Sequence, residues 1–330
     1  MKVLKYIMAI VSFLLSFGGQ ARAQQNIQFT QYIFNSLSVN PAYAGYKEQW
    51  FAQLGLRAQW VGVEGAPKTA TASMDGILDP RDRKMGLGVQ LTADRLGPQS
   101  TTTATVNYAY RLQLDPQDNK RLSFGIAAGL AQYSLRGDLL HTIDGNDQAV
   151  PLGGENSFVP DFRVGAFYNS NFVYAGLSVM DVFSGANDDD IRSSYTSLNI
   201  IRNRHVYFMA GGLINVSQDL RVRPSVLLKE DFRGPTSADL NAMVIFNDII
   251  WVGASYRTGL SLWKKDFQSL SKRNSVSGIV QFFATENLRI GYSYDYVTSE
   301  LGSNQNGSHE ITLGFAFGKV SRALICPRVF

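Results

Sequence analysis

The sequence predicts an all-β chain that closes into a transmembrane antiparallel up-and-down β-barrel of about fourteen strands. Three observations predict it. Apolar and polar residues alternate with a period of two over most of the chain. The connections between alternating segments are short and long by turns. Residues 1–23 have the layout of an export signal.

The alternation is plainest at the start of the repetitive region. Trp50, Ala52, Leu54, Leu56, Ala58 and Trp60 fall on one face, and Phe51, Gln53, Gly55, Arg57 and Gln59 on the other. Successive side chains of a strand point to opposite sides, so this run has one apolar and one largely polar face. The pattern returns at Met85, Leu87, Val89 and Leu91, and at Ala104, Val106, Tyr108 and Tyr110. Late in the chain it returns at Leu288, Ile290, Tyr292, Tyr294 and Tyr296, then at Ile311, Leu313, Phe315 and Phe317. Strands are expected near 49–61, 67–78, 83–94, 98–112, 121–134, 158–169, 172–180, 203–214, 219–229, 236–246, 249–258, 273–284, 288–299 and 307–317. A tilted strand needs about 9–11 residues to cross hydrocarbon, and these lengths suit it.

Connections after even-numbered segments are short, as at Asp79-Pro80-Arg81-Asp82, Asn169-Ser170-Asn171, Asn247-Asp248 and Thr285-Glu286-Asn287. Those after odd-numbered segments are often long, the largest being Leu135–Ser157, Asp181–Arg202 and Gly259–Lys272. Outer-membrane barrels alternate short periplasmic turns with longer extracellular loops. The rhythm therefore predicts a barrel in a bacterial outer membrane, surrounded by lipid, with both termini in the periplasm. A soluble β-sandwich also alternates, but it predicts neither this rhythm nor aromatics at strand ends.

The export signal consists of Lys2 and Lys5, an apolar stretch from Ile7 to Phe17, and an Ala21-Arg22-Ala23 cleavage site that leaves Gln24 first. The apolar stretch is too short to span a bilayer, and no later one is longer, so spanning helices are not expected. The rest divides into an N-terminal segment (24–48), a barrel (49–318) and a periplasmic tail (319–330). The net charge of +4 comes from scattered arginines, which argues against nucleic acid as a partner. A lone cysteine, Cys326, forms no intrachain disulfide and no zinc site.

Residues opposite the apolar face should line the lumen. They are Arg57, Asp94, Arg111, Arg163, Arg221, Arg223, Asp239, Arg257, Arg289, Asp295 and Glu310. Charges of this kind either form an ion lattice that fills the interior or line a pore. Catalytic motifs are lacking. His141, His205 and His309 have no partner spacing that supports catalysis, so no enzyme and no cofactor is expected. Asp188-Asp189-Asp190 offers oxygen ligands for calcium, although an acidic loop is ordinarily just solvated.

Residues 24–48 do not alternate. Ile27–Asn35 is followed by Val39-Asn40-Pro41-Ala42-Tyr43-Ala44-Gly45, where Asn-Pro marks a turn. A periplasmic or lumen-plugging segment is the simplest reading. Phe29-Thr30-Gln31-Tyr32 and Asn40-Pro41-Ala42-Tyr43-Ala44-Gly45 resemble the N-terminal signature of the PorP/SprF family of type IX secretion and gliding proteins. Leu56–Gly62 with Gly65-Ala66-Pro67, Tyr108-Ala109-Tyr110-Arg111, Pro160-Asp161-Phe162-Arg163, Gly291-Tyr292-Ser293-Tyr294-Asp295 and Asn306–Ile311 follow in the family's order. The family often has Gly where this chain has Arg163.

The resemblance implies an outer-membrane component of the type IX system of Bacteroidota. It implies a role in export or surface attachment of adhesins and other cargo with a C-terminal sorting domain. It also implies contacts with a periplasmic lipoprotein ring and an OmpA-like peptidoglycan-binding protein. Asn40, Pro41, Ala42, Tyr43, Ala44 and Gly45 are the expected partner-binding residues. The alternative is a porin or a hydrophobic-substrate channel, which the arginine-rich lumen suggests.

Overall fold

The computed structural model describes residues 29–139, 154–184, 203–232, 234–260, 273–299, 302 and 305–317. The expected export signal and tail, His141 and the Asp188–Asp190 run lie outside them.

The described chain is a single closed wall of antiparallel strands around a folded N-terminal segment. The strands are β1 (Phe51–Ala58), β2 (Lys68–Ile77), β3 (Met85–Leu96), β4 (Gln99–Gln113), β5 (Arg121–Arg136), β6 (Gly154–Asn169) and β7 (Val173–Met180). They continue as β8 (His205–Gly212, resuming at Ile214–Asn215), β9 (Leu220–Glu230), β10 (Thr236–Phe246), β11 (Ile250–Leu260), β12 (Arg273–Phe283), β13 (Leu288–Val297) and β14 (Ser308–Ala316). Each pairs with its neighbour in sequence, and β1 pairs with β14 from Phe51↔Ala316 to Ala58↔His309. The sheet therefore has no free first or last strand, as a membrane wall requires when no water is available to its backbone.

The outward face is apolar. Leu54, Leu56, Ile126, Leu130, Leu177, Leu240 and Val280 are all exposed, whereas their inward neighbours Gln53, Arg57, Asn241 and Gln281 are buried. The short turns follow local chemistry. Asn247 and Asp248 both adopt positive φ, the geometry that joins two twisted strands through two residues. At Asp79–Asp82 the Asp79 carboxylate accepts from the Arg81 amide at 2.8 Å. β8 is interrupted at Leu213, beside Arg223 and Pro224 of β9, where Pro224 has no N–H to give the ladder. The Leu213 amide instead donates to Phe172 O at 2.8 Å.

The largest difference from the expected boundaries is at the β5–β6 hairpin. The sequence places a connection at Leu135–Ser157, but β5 continues to Arg136 and β6 begins at Gly154, paired Arg136↔Gly154. Asn156, Ser157 and Ser134 are polar on both faces, so strand pairing persists there after the apolar alternation ends.

Residues 29–50 form no strand. Two single 3-10 turns, Ser36–Ser38 and Pro41–Tyr43, shape the segment. Asn40 caps the second, its side chain accepting from the Ala42 amide at 2.9 Å, and Pro41 occupies the first position, where an N–H is not needed. The segment touches inward groups on strands all around the wall: Gln90 of β3, Ala166 of β6, Ser178 of β7, Asn241 of β10 and Thr312 of β14. It lies within the barrel. Tyr32, Ile33, Phe34, Leu37, Ala42, Tyr43 and Tyr46 join Phe167, Met209, Met243, Ile245 and Trp251 in one buried cluster.

A charge on the outer face should be costly where the same charge inside is not. Ile126→Arg, at an exposed outward position of β5, is expected to destabilise the barrel by about 2–4 kcal/mol in chemical unfolding from lipid vesicles.

Candidate functional site

The barrel lumen holds three layers of contact with the N-terminal segment. The strand ends joined by the connections that follow even-numbered strands are called here the turn end, and the others the loop end.

Toward the loop end, six charged side chains form an ion lattice. Arg57 bridges Asp295 at 2.6 Å and Glu310 at 2.9 Å. Arg257 and Lys229 both bridge Asp239, at 2.6 and 2.7 Å. Three cations thus meet three carboxylates. The segment is tied into this lattice. The Thr30 and Gln31 amides donate to the Glu310 carboxylate at 2.9 and 3.2 Å. The Thr30 hydroxyl donates to Asp295, and Arg257 donates to Phe29 O at 3.3 Å. Glu310 thus accepts from arginine and backbone, Asp295 from arginine and a hydroxyl, and Asp239 from arginine and lysine, which offsets much of the cost of burying them.

In the middle, small residues let the segment approach the wall. Gly86, Ala109, Gly125 and Gly165 are successive register partners on β3, β4, β5 and β6. Asn40–Gly45 lies over this row. A Cβ on Gly125 would overlap the Ala42 backbone nitrogen, and one on Gly86 would overlap the Ala44 carbonyl oxygen. Gly45 itself has φ +73, and its amide donates to Asp75 at 3.0 Å. Asn40 donates to Ala166 O at 3.0 Å. The row ends at Ser178, whose hydroxyl donates to Val39 O.

At the turn end, Glu48 receives Arg111 at 3.0 Å and Arg83 at 2.9 Å. Arg121 pairs with Asp118 at 2.5 Å and donates to Arg83 O at 2.6 Å. The hydrogen bond from Glu48 raises the Arg83 guanidinium above its ordinary value. Above these lie Lys47, Arg223 and Arg289. Arg289 donates to Gln53 at 3.0 Å and lies against Phe34 and Phe51.

Of the residues read as lumen-lining, Arg57, Arg111, Arg221, Arg223, Asp239, Arg257, Arg289, Asp295 and Glu310 are buried. Asp94 and Arg163 are half-buried, held by Thr69 and Asp161 respectively. Arg221 pairs with Asp248 in the β10–β11 turn. Asn40, Pro41, Ala42, Tyr43, Ala44 and Gly45 are all buried, so in this arrangement they meet the wall. Of the two described histidines, His205 contacts Asn203 O at 2.9 Å, and His309 contacts the Tyr292 hydroxyl at 2.7 Å on the outer face. Lys229, Asp75, Glu48 and the glycine row were not singled out from sequence. Inward parity was the available signal for Gly86, Gly125 and Gly165.

A closed wall with an apolar exterior and a polar, charged interior defines a membrane-spanning β-barrel of the outer-membrane type. The family model described as type IX secretion system membrane protein PorP/SprF matches residues 21–315, and the chain belongs to that family. No curated protein matches the sequence. The chain is also similar to several solved barrels. Acinetobacter baumannii outer membrane protein Omp33 is 12% identical with a TM-score of 0.46, over 82% of this chain and 100% of its own. A Pseudomonas aeruginosa FadL homologue is 10% identical with a TM-score of 0.44, over 84% and 93%. BamA from Haemophilus ducreyi lacking POTRA domains 1–3 is 10% identical with a TM-score of 0.44, over 82% and 70%.

Breaking the lattice by one partner should leave buried carboxylates uncompensated. Arg57→Met is expected to destabilise the barrel by about 3–5 kcal/mol in chemical unfolding. It should also release the segment to protease at residues 29–48.

Proposed function

We propose that this protein is a non-enzymatic component of the type IX secretion and gliding machinery. It supports export or surface attachment of cargo bearing a C-terminal sorting domain. The turns face the periplasm, where machine components such as the lipoprotein ring and the OmpA-like protein meet the barrel, and the loops face outward, where cargo is held. Family membership supports the secretion role. The observation that favours a holding role over a conducting one is the filled lumen. Residues 29–48 bond to strands around the wall, and the lattice through Thr30, Gln31, Arg57, Asp295 and Glu310 fixes the segment there. With the segment seated, Asn40–Gly45 reaches a partner only by leaving the lumen, so the partner surfaces in this reading are the loops and the two mouths.

Two measurements test the proposal. In planar bilayers the intact barrel should stay closed. Deletion of residues 29–47, or Gly125→Val to displace Ala42, should open a steady conductance. A steady open channel from the intact protein would instead favour the porin or hydrophobic-substrate reading. In cells, loss of the gene should abolish surface display of its cargo, and tagged protein should co-purify with periplasmic machine components. Undiminished display would count against the role.

A further inference from the structure

The two ends of the lumen handle charge differently. At the loop end the cations Arg57, Lys229 and Arg257 meet the carboxylates Asp239, Asp295 and Glu310, so the charges cancel. Nearer the turn end, Lys47, Arg223 and Arg289 are all buried, yet none forms an ion pair among the described residues. The carboxylate beside them is Asp75, which already accepts from the Gly45 amide at 3.0 Å. Counted at their ordinary charges, three cations stand against one carboxylate here, an excess of two positive charges.

These cations are close together. Lys47 Nζ lies 3.1 Å from the centre of the Phe51 ring, and the Arg289 guanidinium lies 5.0 Å from the same ring. The Arg223 guanidinium lies 5.5 Å from the Tyr174 ring. Arg223 and Arg289 are electrostatic neighbours of both Lys47 and Tyr43. Rings and one amide oxygen, from Gln53, are their partners. Rings soften the burial of a cation but do not neutralise it.

Four unpartnered donors stand among these side chains. They are Nη1 of Arg223, Nε2 of Gln53 and the hydroxyls of Tyr43 and Tyr174, each on a side chain more than nine-tenths buried. Buried donors without acceptors are costly. A ligand that satisfies them brings several acceptor oxygens and two negative charges, which a single halide does not. The closed wall separates the layer from lipid, so the ligand is a small free ion rather than a lipid headgroup.

We propose that Lys47, Arg223 and Arg289, with the Tyr43 and Tyr174 hydroxyls, form a binding site for a small dianionic oxyanion of the phosphate class. The site links three parts of the structure that no ion pair among the described residues joins. Lys47 and Tyr43 belong to the N-terminal segment, Arg223 to β9 and Arg289 to β13. Bound anion thus stabilises the seated segment.

The test is equilibrium dialysis of radiolabelled inorganic phosphate against the purified full-length barrel, in detergent and phosphate-free buffer. Saturable binding of one phosphate per barrel is expected, and chloride at equal ionic strength should not displace it. Arg223→Gln and Arg289→Gln should each lower affinity by about tenfold or more, the loss of one charge-assisted hydrogen bond. Arg136→Gln, at an exposed ion pair with Asp138, should bind like the parent. Heat-modifiable gel migration checks that each variant is a folded barrel. If an arginine variant does not fold, Tyr174→Phe removes a single hydroxyl and should still weaken binding. The proposal fails if the intact barrel shows no saturable binding. It also fails if the folded variants bind phosphate as tightly as the parent.

Discussion

A wall of fourteen strands encloses more space than its own inward side chains can fill. An eight-stranded barrel is already wide enough to be packed by them alone. Every other feature of the interior follows from that surplus. The chain fills it with its own residues 29–48, and the wall must then offer these residues the hydrogen bonds and ion pairs that water would otherwise supply. Buried arginines and carboxylates on inward positions, costly in an apolar core, become the means by which an irregular segment is satisfied. The apolar cluster of Tyr32, Phe34, Leu37, Tyr43 and Tyr46 against Phe167, Met209 and Trp251 does the space-filling beneath that polar frame.

Different stretches of the segment are held by different chemistry. Phe29–Gln31 is held by charge, at the Arg57–Asp295–Glu310 lattice. Asn40–Gly45 is held by proximity. The backbone comes so close to Gly86, Gly125 and Gly165 that a side chain on the wall would exclude it. Glu48 is held again by charge, among Arg83, Arg111 and Arg121. Small residues there and charged ones at the ends suit the local geometry. A turn lying flat on a sheet needs clearance, whereas the ends of an irregular segment leave backbone groups that need partners.

The wall was legible in the sequence because parity carries it. Leu54 and Leu56 outward with Gln53 and Arg57 inward is the same statement in the sequence and in space. The outer half of the β5–β6 hairpin was not legible, because Asn156 and Ser157 are both polar and the alternation has nothing to sort. The interior was legible only as a set of charges. That Arg57 meets Glu310 depends on closure between the first and last strands, 253 residues apart. The glycine row is likewise invisible along the chain. Gly86, Gly125 and Gly165 align only through the registers of four strands, with Ala109 between the first two.

The Arg57–Glu310 pair sits across the seam where β1 meets β14. Thr30 and Gln31 bind the same Glu310 from within. Glu310 belongs to β14 and Arg57 to β1, so the two meet only when that seam closes. Until Glu310 docks, Arg57 and the leading part of the segment lack a shared anchor. Closing the seam and locking the interior therefore share one residue. A wall open at this seam is also one whose interior is unlocked.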